Sequence, residues 1–233
     1  MKKIWNYFTT FEKILWITSV SLITLFFVIF KNTEYLYLFA SILGATSLLF
    51  LAKASPIGQV LVIIFSTIYG YISLRYQYYG EVITYCFMTL PIAVVSTISW
   101  FKNPYNDESL EVKIDDINKK EYSIGLILSS VITIVFYFVL KYLGTANLLI
   151  STISIFTSFY AAYITFKRSR FYALFYSFND IVLIILWALA CVDDINYLSM
   201  VLCFVIFFVN DIYGFINWTK IQKNQKVNVK SNK

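Results

Sequence analysis

Apolar residues gather along this chain into eight stretches, each about as long as the roughly 17–25 residues a bilayer-spanning helix needs. They cover residues 14–30, 35–52, 57–74, 82–101, 123–140, 145–166, 171–191 and 197–218. Polar and charged residues collect in the short gaps between them. The longest gap, 102–122, holds ten charged residues and reads as a soluble loop. This pattern predicts an all-α integral membrane protein with eight transmembrane helices. Lys2, Lys3 and Lys13 precede the first stretch, but no small-x-small cleavage site follows it, so a retained helix is expected rather than a signal peptide.

Charge sets the expected orientation. With the N-terminus in the cytoplasm, sixteen Lys and Arg fall on the cytoplasmic side, and only Lys31, Arg75 and Lys141 fall outside. That asymmetry follows the positive-inside rule, places both termini in the cytoplasm of a multi-pass cell-membrane protein, and accounts for the net charge of +6. The basic tail, 220–233, is expected to rest against anionic lipid headgroups.

A short echo suggests internal repetition. The fourth stretch ends Ile98-Ser99-Trp100-Phe101-Lys102 and the eighth ends Ile216-Asn217-Trp218-Thr219-Lys220. Four stretches apart, these helices run parallel. Two parallel three-helix repeats follow, residues 35–101 and 145–219, with 1–34 as an extra N-terminal helix and 102–144 as cytoplasmic loop and linker helix. Transporters are built on parallel repeats of this kind, with the solute site near the midplane. The competing reading is that Trp-Lys simply marks a membrane interface.

Acidic residues inside the spans are costly, roughly 2.5–3.5 kcal/mol each on insertion scales, and belong in a bundle interior or a wet cavity. Asp180 and Asp211 are such residues, and each follows an Asn: Asn179-Asp180 and Asn210-Asp211. A short turn near Asp193-Asp194 would make the seventh and eighth helices antiparallel, with the two pairs at similar depth. Tyr172, Tyr176, Asn179, Asp180, Leu183 and Trp187 recur at helical spacing on the seventh helix. On the eighth, Phe207, Asn210, Asp211, Gly214, Asn217 and Trp218 do the same; a weaker stripe on the third carries Gln59, Ser66, Gly70 and Ser73. Carboxylates, amides and aromatic rings together suit a flat heterocycle, a cationic one included. The competing reading is cross-linking of helices by hydrogen bonds. Ser151, Ser154 and Ser158 on the sixth helix read as a close-packing seam. Pro91 should kink the fourth helix.

Composition narrows the chemistry. Hydrophobic residues make up 59% of the 233 and charged ones 14%, which argues against a nucleic-acid binder or an ordinary cytosolic enzyme. There is no His, and the three cysteines stand apart in apolar runs. No phosphate-binding loop for ATP occurs. No cofactor, metal or catalytic residue is expected.

The stretch from Phe178-Asn179-Asp180 to Trp187, and Asn210-Asp211-Ile212-Tyr213-Gly214-Phe215-Ile216-Asn217-Trp218, resemble the PnuC family of nicotinamide riboside transporters. So do Ile68-Tyr69-Gly70-Tyr71-Ile72, the Tyr79-Gly80-Glu81 turn and the region from Pro91 to Trp100. The resemblance spans about 40–222. It implies a SWEET-like 3+1+3 core, a homotrimer, and facilitated diffusion of a vitamin precursor that a cytosolic kinase then traps. It also places a substrate-binding amide at Asn179. Family members often have Trp four and seven positions earlier, where this chain has Phe175 and Tyr172; many have an amide on the fourth helix near Tyr85 or Cys86.

The expectation is therefore a membrane transporter for nicotinamide riboside, not an enzyme. Its candidate substrate-binding residues are Gln59, Tyr172, Tyr176, Asn179, Asp180, Trp187, Asn210, Asp211, Tyr213, Asn217 and Trp218. The alternative is another vitamin such as thiamine, with proton coupling through the two carboxylates as a further possibility. A membrane-embedded enzyme using the Asp pair as acid and base, or a binding subunit for a separate ATPase, are rivals of other classes.

Overall fold

The computed structural model describes residues 6–30, 35–75, 79–106, 110–145, 147–192, 195 and 198–231. The expected turn at Asp193-Asp194, and the charges of Lys2, Lys3, Lys31 and Lys233, lie outside them. Eight helices among the described residues are long and apolar enough to cross a membrane. They are α1 (Thr10–Ile29), α2 (Tyr35–Ala52), α3 (Pro56–Arg75), α4 (Tyr79–Val82, Ile83–Thr89 and Leu90–Phe101), α5 (Lys119–Tyr142), α6 (Leu148–Phe166), α7 (Tyr172–Ala190) and α8 (Leu198–Ser231). Their outer faces expose large apolar side chains, Ile127, Val131, Ile134 and Phe138 on α5 among them. Such a surface suits lipid rather than water. This is a multi-pass membrane protein.

Proline shapes α4 differently from a simple kink. Residues Ile83–Thr89 form a π-helical turn, and Leu90 N–H reaches back to Tyr85 C=O. Pro91, which has no N–H to give, sits just after this turn, in the first positions of the α-helical segment that follows. The wider turn absorbs the missing hydrogen bond, and such turns cluster at functional sites. Gly70 lets α3 approach this region: a Cβ there would collide with Cys86 Sγ.

The two helix triads α2–α4 and α6–α8 answer each other at one end. After α2, Ala54 adopts a left-handed conformation (φ 53°); after α6, Arg168 does the same (φ 54°). Ala54 N–H donates to Leu51 C=O (2.8 Å), and Arg168 N–H to Thr165 C=O (3.0 Å). Trp100, at the end of α4, donates Nε1–H to Thr165 C=O (3.1 Å), while Trp218 of α8 donates to Leu51 C=O (2.7 Å). Each triad thus caps the first helix of the other. The two indoles are fully buried, with ring centroids 5.4 Å apart.

The charged segment before α5 lies across this end. Val112 N–H donates to Ala54 C=O (2.9 Å) and Asp115 N–H to Arg168 C=O (3.0 Å), so one strap is fastened to both matching turns. Val112 and Ile114 are buried beneath it. α8 does not end at residue 218. It continues to Ser231, about 51 Å in all at 1.5 Å per residue, well beyond a hydrocarbon core of roughly 30 Å. The extension is zipped to the strap by Gln225, which accepts from Ile114 N–H (2.9 Å) and donates to Val112 C=O (3.0 Å), by Gln222 donating to Asp116, and by the Lys226–Asp116 ion pair. The residues expected to form a lipid-facing tail therefore begin as a helix docked on protein.

Candidate functional site

A cavity of about 100 Å³ lies between the triads, lined from α2, α3, α4, α6, α7 and α8. That is several times the roughly 10–15 Å³ a single buried water needs. Five sequence-expected residues line it: Gln59, Tyr176, Asn179, Asp180 and Asp211. Their placement follows from helix packing. Tyr172 at the start of α7 packs at a tilt against Trp218 (4.5 Å between ring centroids), and Leu183 and Trp187 farther along α7 pack in one core with Met200 and Phe204 of α8. The helices therefore run antiparallel. Asp180 and Asp211 are both buried and line the same cavity. Asp180 Oδ2 has no hydrogen-bond partner among the described residues.

Asn179 is held from α6. Its Oδ1 accepts from Thr157 Oγ1 and from Ser158 Oγ, each at 2.8 Å. Ser158, expected to serve close packing, instead carries a hydrogen bond at the cavity wall.

The structure places the other six candidates away from the cavity. Asn210 donates Nδ2–H to Ser19 Oγ of α1 (3.2 Å) and to Ile206 C=O (2.8 Å), on the far side of α8. Tyr213 donates to Glu12 Oε1 of α1 (2.8 Å). Asn217 donates to Ala52 C=O (2.9 Å) and Trp218 to Leu51 C=O, so both tie α8 to the end of α2. Tyr172 is buried against Trp218, and its hydroxyl lies 3.2 Å from where a Cβ at Gly214 would stand. Trp187 packs in the core with Tyr69 and Phe204. Two physical reasons apply: a turn of 100° per residue rotates Asn210 and Tyr213 away from the direction in which Asp211 points, whereas Tyr172, Trp187, Asn217 and Trp218 stand about 9–12 Å along their helices from Asp180 or Asp211.

Sequence reasoning missed several wall residues. Glu81, Tyr85 and Ser96 reach the cavity from α4, and Ser154 and Ser158 from α6. Glu81 lies at the edge of an expected span, where a turn was anticipated; the π-helical turn next to it, which swings Tyr85 toward Tyr69 (4.6 Å) and Phe65, has no reliable sequence signal. Ser96 Oγ is fully buried without a hydrogen-bond partner among the described residues. Among the described residues the lining thus carries three carboxyls, Glu81, Asp180 and Asp211, and no Lys or Arg.

Comparison with known proteins bears on this site. The model of the family described as nicotinamide mononucleotide transporter matches residues 34–220, which takes in seven of the eight helices and leaves out α1. A curated relative, the nicotinamide riboside transporter PnuC of Neisseria mucosa, is 26% identical over 199 residues, covering 84% of this chain and 76% of that protein. The crystal structure of the vitamin B3 transporter PnuC superposes with a TM-score of 0.79 at 24% identity over 94% of each chain, a likeness of fold.

Proposed function

We propose that this chain, which belongs to the nicotinamide mononucleotide transporter family, carries nicotinamide riboside across the cell membrane through the cavity between its two helix triads. The observation that supports this substrate best is the charge of the lining: among the described residues, three carboxyls and no basic side chain. Nicotinamide riboside is a cationic pyridinium nucleoside without a phosphate. Its ring charge complements Asp180, Asp211 and Glu81, whereas a mononucleotide's phosphate would meet like charge and find no Arg or Lys to hold it. Tyr176 and Tyr85 offer π faces to the cation, Gln59 an amide for the ribose hydroxyls, and the open Asp180 Oδ2 an acceptor for a substrate donor. The relative's name points to the same solute.

Movement of the triads about this central site would alternate access. The asymmetry of basic residues supports cytoplasmic termini, which puts the strap and the Trp100–Trp218 contact at the inner mouth. Transport is facilitated diffusion, with a homotrimer and a trapping cytosolic kinase following from the family resemblance. Two buried carboxyls lining one cavity support a second reading, coupling of uptake to a proton taken up at Asp180 or Asp211.

Purified protein in liposomes tests both. Uptake of radiolabelled nicotinamide riboside, inhibited by unlabelled riboside and indifferent to excess mononucleotide, is expected; no uptake, or competition by the mononucleotide, would refute the substrate assignment. An imposed pH gradient that drives accumulation would favour the coupled mode.

A further inference from the structure

Asn179 lines the cavity with its amide oxygen fully occupied. A carbonyl oxygen has two lone pairs, and the hydroxyls of Thr157 and Ser158 reach both, at 2.8 Å each. The nearest alternatives for the Thr157 proton, the carbonyls of Ile153 and Ser154, are longer at 3.1 Å. With Oδ1 taken, the side chain offers the cavity its NH2 group alone. The next residue, Asp180, offers the opposite: a buried carboxyl oxygen without a donor. Adjacent in sequence and lining the same space, one supplies donors and the other an acceptor.

We propose that Thr157 and Ser158 are positioning residues that commit Asn179 to donation, and that Asn179 and Asp180 together select a neutral primary carboxamide over the corresponding carboxylate. A carboxamide presents a carbonyl oxygen to the Asn179 NH2 and an NH2 to Asp180 Oδ2. A carboxylate has no hydrogen to give, and it sets a second negative charge against Asp180. Without the two hydroxyls the Asn179 amide is free to turn over, and the donor–acceptor order is lost. The inference rests on the transport reading above for its substrate, and on the hydroxyl pair for its selectivity.

The test compares nicotinamide riboside with nicotinic acid riboside, the carboxylate analogue, by uptake into liposomes and by the rise in melting temperature each ligand gives the purified protein. Wild type should prefer the amide at least tenfold in half-saturating concentration. The double variant Thr157→Val/Ser158→Ala should lose most of that preference, with half-saturation for the amide raised about tenfold and maximal rate within twofold, while the unliganded protein melts at a lower temperature but still in a single cooperative transition. Ser158→Thr should keep the preference, because it keeps the hydroxyl. A double variant that selects as well as wild type overturns the proposal, and so does a Ser158→Thr protein that fails to select while folding normally. Should wild type take up both ribosides equally, the selectivity claim falls and the transport reading stands. Should neither riboside be transported nor raise the melting temperature, both fall together.

Discussion

α8 carries polar side chains on two sides, and the two sides are satisfied by different things. Toward α1, Asn210 meets Ser19, and Tyr213 meets Glu12, which is itself buried, paired with Lys53 at 3.3 Å and capped by Thr9 N–H at 2.6 Å. Every one of these groups has a protein partner. Toward the cavity, Asp211 shares the lining with Asp180, a group of its own kind, and one Asp180 oxygen has no hydrogen-bond partner among the described residues. In a membrane a polar group with a complete set of partners glues helices together, whereas one short of partners inside a lined space is waiting for a solute or water. Satisfaction, rather than polarity, separates the packing face from the binding face.

Substitutions that respect shape while changing charge bear hardest on this difference. Asp180→Asn/Asp211→Asn removes the negative charge of the cavity face and should lower uptake into liposomes by on the order of 30-fold or more, since loss of a desolvated charge partner costs about 2–5 kcal/mol. The amount of folded protein, read by size-exclusion chromatography, should stay near wild type. On the packing face, Glu12→Gln leaves Lys53 beside an uncharged partner. It should destabilise by about 3 kcal/mol and lower the melting temperature by roughly 6–12 °C, without altering uptake per folded molecule.

Smaller effects sharpen the same contrast. Trp218→Phe and Trp100→Phe each remove one of the two donors to a helix-end carbonyl, Leu51 C=O keeping Ala54 N–H and Thr165 C=O keeping Arg168 N–H, at about 1 kcal/mol. Because the two bonds are reciprocal, the two variants should lose similar stability in a thermal melt. Asn210→Ala, which forfeits one interhelical bond, should cost about 0.6 kcal/mol and leave uptake within twofold. Uptake collapsing in Asn210→Ala would place that face in the transport path and erase the distinction between the two sides.

Much of the fold is legible in the chain. Eight apolar stretches match eight helices because span length is set by bilayer thickness and by little else. Their ends are less legible. α5 starts at Lys119 because Asn118 and Glu121 form a capping box with Lys167 on Glu121, and α8 runs on because Gln222, Gln225 and Lys226 have a strap to grip; both depend on long-range partners. The echo of Trp100 and Trp218 was visible, but the exchange of their N–H groups between triads was not, since it needs the positions of Leu51 and Thr165. For the cavity, burial cost singled out Asp180 and Asp211. Helical spacing placed Asn210 beside them, although one residue of rotation turns it to α1. Glu81 reads in the chain as part of a turn and Tyr85 as standing near the amide many family members carry; that both line the cavity depends on a π-helical turn beside them.

Density for the protein loaded with nicotinamide riboside tests the central claim most directly. The pyridinium ring should lie between the two triads, in contact with Tyr176 and within reach of Asn179, Asp180 and Asp211. Ligand density elsewhere on the molecule, with that space filled only by water, would contradict the account.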